Sequence, residues 1–122
     1  MPDDLKTQEA STGSSDELYE MANLYPRTTG LPMTVWVGPR GNARHDVRVK
    51  VNMAHGNQMN IDNTAVVGVR PSPHLIAGHL VPEDERAVAA WISLNTTTII
   101  AYWEGDIDAL ELVRALKPLP SA

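Results

Sequence analysis

Residues 45–53 (HDVRVKVNM) place the tightest constraint on the fold. Val47, Val49, Val51 and Met53 alternate there with Asp46, Arg48, Lys50 and Asn52. A period of two sends successive side chains to opposite faces, so this stretch predicts a strand with one apolar and one wet face. Such a strand needs neighbours in a sheet and a second layer over its valines.

The flanking sequence supplies both. Residues 33–37 (MTVWV) are β-branched and aromatic, end at Gly38-Pro39, and predict a preceding strand. Residues 39–44 form the connecting turn, with Gly41-Asn42 suited to positive φ. Met59 and Ile61 alternate with Gln58, Asn60 and Asp62, which predicts a short third strand. Residues 65–70 (AVVGVR) predict a fourth, with a bulge at Gly68. Residues 74–81 (HLIAGHLV) read as a fifth strand or as an irregular lead-in.

The second layer comes from the C-terminal third. Pro82 followed by Glu83, Asp84 and Glu85 is a helix start, because proline fits the first turn and acids complement the dipole. Val88, Trp91, Ile92 and Asn95 share one face of that helix. Asn95-Thr96-Thr97-Thr98 interrupts it, and by propensity residues 96–103 suit a strand as well as a helix. The preferred reading has Asn95 or Thr96 capping a second helix with Ile99, Ile100, Tyr102 and Trp103 on its apolar face, closed by Gly105. A last helix opens on the capping box Asp108-x-x-Glu111, stapled by Ile107 and Leu112 and striped by Leu110, Val113 and Leu116. Residues 1–15 have almost nothing to bury and predict a disordered tail, with Ser15 capping a short helix over residues 16–24 that Pro26 stops. The expected architecture is α+β. An acidic flexible tail (residues 1–25) precedes a single domain (residues 26–119), in which an antiparallel sheet of three to five strands carries C-terminal helices on one face.

Cysteine is absent, which excludes disulfides, thiol nucleophiles and thiolate metal sites. With no phenylalanine, Trp36, Trp91 and Trp103 must supply most of the aromatic packing. No apolar run is long enough for a membrane span, and the acidic N-terminus is unlike a secretory signal, so a cytoplasmic protein is expected. Charge is unevenly distributed. Residues 1–20 carry −5, residues 21–81 carry +4 and residues 82–122 carry −4, so a basic middle lies between acidic ends.

Several stretches resemble an uncharacterised family of short bacterial proteins. The likeness rests on residues 31–37 (LPMTVWV), Gly41, residues 43–51 (ARHDVRVKV), His55-Gly56 and residues 63–80. It continues through residues 91–95 (WISLN), 102–105 (YWEG) and 107–116, so it spans roughly residues 30–119. It implies a helix after Leu94-Asn95 and assigns no activity. A more distant likeness is to a domain of unknown function found beside toxin–antitoxin genes, whose strand begins Pro-Pro-His-x-His-Val. Residues 43–47 (ARHDV) stand there, without both prolines and one histidine.

Candidate sites are few. His45, His55, His74 and His79 are weak metal candidates, since none has helical i, i+4 spacing and dedicated sites need three or four convergent ligands. His45 and Asp46 are chain neighbours, which on a strand point to opposite faces and cannot work as a dyad. No G-x-S-x-G elbow or phosphate loop occurs. Arg48 and Lys50, joined by Arg40, Arg44 and Arg70, form a candidate basic sheet face. The expected function is a non-enzymatic, dimeric interaction module that uses this face for a protein partner and needs no cofactor. The alternatives are a nucleic-acid-binding regulator and a small metal- or histidine-dependent enzyme.

Overall fold

The computed structural model describes residues 21–58, 60 and 62–120. Its sheet is an antiparallel meander of β1 (Ala22–Leu24), β2 (Val35–Val37), β3 (Arg48–Asn52), β4 (Thr64–Gly68) and β5 (His74–Ala77), hydrogen-bonded in chain order. Three helices accompany it among the described residues: a single turn α1 (Pro26–Thr29), the long α2 (Pro82–Glu104) and α3 (Ala109–Ala115). The α+β class and the antiparallel sheet are as the patterning predicts.

The alternation in β3 organises the core. Val35 pairs with Val51, and Val37 pairs with Val49, which in turn faces Val67. Each is at most 2% exposed, and all join Val88, Trp91, Ile92, Ile99, Tyr102 and Trp103 of α2 in one buried cluster. The helix therefore covers this inner face. Removing these side chains from water is the main driving force, about 1.5–3 kcal/mol for each large one. Trp91 is fully buried, and its Nε1 has no acceptor among the described residues.

Several expectations need correction. Of the helix proposed over residues 16–24, residues 16–20 lie outside the described residues, as does the tail of residues 1–15. Ala22–Leu24 is an edge strand paired with Val35–Val37. A few residues before Pro26 cannot sustain a helix, whereas pairing with β2 satisfies the backbone and buries Leu24 to 1% exposure. The predicted third strand is not seen. Met59 and Ile61 lie outside the described residues, and Gln58, Asn60 and Asp62 are not in a strand. Asn52 Oδ1 accepts from the Asn60 N–H at 3.2 Å, and Asn60 Oδ1 accepts from the Asp62 N–H at 3.0 Å. These amide side chains give the backbone an alternative to ladder bonds. The segment of residues 74–81 begins as a true strand, β5, and leaves it at Gly78, whose φ is +81°. The register slips between Val66 and Val67, which leaves Ile76 as the extra residue, so the bulge is not at Gly68.

Residues 96–103 are helical, as part of one α2 of 23 residues bent at Asn95 (φ −120°, ψ 17°). Asn95 does not cap a new helix. Its amide donates to the Trp91 and Lys117 carbonyls and accepts from the Lys117 N–H. The capping box at α3 is present in both directions. Its expected stripe is different, however. Leu112 and Leu116 are buried, while Leu110 (58% exposed) and Val113 (45%) face outward. A helix this short touches the core through one i, i+4 pair.

Candidate functional site

The outer face of the sheet carries Arg48 and Lys50, opposite Val49 and Val51. Lys50 stands across from Trp36, and Arg48 from Gly68. One step beyond the Ala22–Val37–Val49 register, Met21, Gly38 and Arg48 fall in line, and Gly68 and His74 continue the same row.

The two glycines of that row have a shared purpose. A Cβ on Gly38 would lie 2.8 Å from Met21 Cγ, and one on Gly68 would lie 2.4 Å from His74 Cε1. The missing side chains let Met21 and His74 lie down on either side of Arg48. His74 Nδ1 is 2.7 Å from the Ser72 carbonyl, which can only accept, so this nitrogen carries a proton. Arg48 is half-buried, and its Nε has no hydrogen-bond acceptor among the described residues.

The face is less open than its sequence suggests. Trp36 is only 1% exposed and lies outside the apolar cluster beneath α2. It is a large buried ring on the cationic side, beside a half-buried Lys50.

The other basic candidates are placed elsewhere. Arg70 clasps Asp46 with Nε at 2.9 and 3.1 Å and Nη2 at 2.8 Å. That pairing holds the Asp46 carboxyl below its ordinary pKa and raises the guanidinium of Arg70. Glu104 lies 3.8 Å from Arg70 Nη2 and 3.6 Å from Arg40 Nη1. The two arginines offset a carboxylate at the negative end of α2, where the dipole disfavours it. Arg44 is exposed on the loop before β3. The five candidates thus divide into an ion-pair network, a loop arginine and the Arg48–Lys50 pair.

The histidines occupy separate environments. His45 stacks against Trp103, with ring centroids 5.4 Å apart, at the C-terminal end of α2. His55 Nε2 meets Asp84 Oδ2 at 2.9 Å in the first turn of that helix. Those ends are about 28 Å apart at 1.5 Å per residue. His74 lies over Gly68, and His79 is exposed beyond β5. Among the described residues no group of three or more His, Cys, Asp or Glu side chains could hold a metal ion. His45 and Asp46 precede β3 instead of lying within it, and they diverge to Trp103 and Arg70. The His55–Asp84 contact escaped sequence reasoning. The residues are 29 apart, and no local pattern joins them.

Among the described residues no helix is long and apolar enough to cross a membrane. No family model, curated protein or solved structure matches the chain.

Proposed function

We propose that this chain is a non-catalytic interaction module whose outer sheet face receives an acidic segment of a partner protein. The observation that carries this reading is Arg48, a half-buried guanidinium in the row between Met21 and His74, whose Nε–H has no acceptor among the described residues. A desolvated, unsatisfied cationic donor is best completed by a carboxylate, which forms a charge-assisted hydrogen bond with it. Lys50, two residues along the same face, adds a second positive charge.

A protein partner suits the face better than nucleic acid. Single strands bind through cationic grooves in which several aromatic side chains stack on successive bases, and Trp36 is the only Trp or Tyr in the five strands. The acidic overall balance, with a pI of about 5.2, opposes long-range attraction of a polyanion. Titration with a polyglutamate peptide and with single-stranded DNA at stepped salt tests the choice. Preference for the peptide is expected. Preference for DNA, with a steep salt dependence, would transfer the face to the nucleic-acid reading.

A further inference from the structure

We propose that the acidic segment of residues 1–20 docks on the outer face, against Arg48 and Lys50, and must be displaced by a partner. This inference rests on the interaction-module reading and identifies what competes at that site.

Three observations carry it. The first is charge: residues 1–20 hold Lys6 against Asp3, Asp4, Glu9, Asp16, Glu17 and Glu20, whereas residues 21–81 hold six cations against Asp46 and Asp62. The second is where the segment ends. Met21 lies on Gly38, in the row of Arg48, so the segment that precedes it joins the domain at the edge of this same face. Crossing all five strands takes about 19 Å, and a segment of this length reaches about 66 Å when extended, so every position on the face is within reach. The third is Trp36, 1% exposed on a face where Asn23, Thr34, Gly38 and Lys50 adjoin it and supply little apolar cover. Leu18 and Tyr19, interleaved with Glu17 and Glu20, combine the apolar cover and negative charge that such a face takes.

A tethered ligand acts at high effective concentration, so a modest intrinsic affinity is enough for it to compete. The segment therefore raises the threshold for a partner and favours those more acidic than itself.

The test uses the full chain with Asp16→Asn, Glu17→Gln and Glu20→Gln combined, and a control with Glu83→Gln, Glu85→Gln and Asp106→Asn, which removes the same charge elsewhere. The first variant is expected to shift the NMR signals of Arg48 Nε–H and Trp36 Nε1–H and to tighten polyglutamate binding several-fold. The control should do neither. Unmoved signals in the first variant, or equal shifts in the control, would overturn the docking. Shifted signals with no polyglutamate binding in any form would keep the docking and remove the partner reading.

Discussion

Asn95 holds Lys117 by both of its backbone groups, donating to the carbonyl at 2.9 Å and accepting from the N–H at 2.7 Å. A buried side chain at the bend of α2 thereby fixes the segment after α3, which continues to Leu119 and its hydrogen bond with the Thr29 carbonyl. The bend and the return of the C-terminus are one structural device.

Asn95→Ala leaves those backbone groups unsatisfied and is expected to cost about 2–3 kcal/mol. Asn95→Asp should cost a similar amount, because a carboxylate cannot donate to the Lys117 carbonyl. Urea unfolding checks this. An unchanged midpoint for either variant would mean that the clamp does not contribute.

Two glycines with positive φ predict unequal costs. A Cβ on Gly30 (φ +78°) would lie 2.5 Å from the Leu119 carbonyl oxygen, whereas one on Gly41 (φ +50°) would meet nothing within 4 Å. Gly41→Ala should therefore cost only the backbone term, about 1 kcal/mol. Gly30→Ala adds a backbone clash and should cost about 3 kcal/mol. Thermal unfolding of the pair checks the ranking.

The Asp46–Arg70 clasp predicts a pH dependence confined to acid. The folded-state pKa of Asp46 is lowered, first by the Arg70 hydrogen bond, so its contribution is present above the ordinary carboxylate pKa. It is lost as the pH falls through the lowered folded value. Arg70→Ala should raise the Asp46 pKa towards its ordinary value in an NMR titration and leave stability at neutral pH almost unchanged, since both side chains are substantially exposed.

What was legible in the sequence was local. The alternation of Val47, Val49 and Val51 reveals β3 because period two is a property of a single strand, and Asp108 with Glu111 marks the start of α3 because a capping box closes within one turn. Asn95 could be read as a break, but not as a clamp on a residue 22 positions away. Arg48 was legible as a cation on a wet face. Its confinement between Met21 and His74 depends on the register of five strands, which no single segment encodes. Leu110 and Val113 misled for the complementary reason, since periodicity shows that a stripe exists without showing what is available to cover it.

The outer face is best tested by titrating polyglutamate into the full chain and into an Arg48→Glu, Lys50→Glu double variant. Both positions are on the face away from the core cluster, so the thermal midpoint should move little. Affinity should fall at least about tenfold, which corresponds to about 1.4 kcal/mol. Equal affinity in a variant of unchanged stability would contradict the assignment of this face.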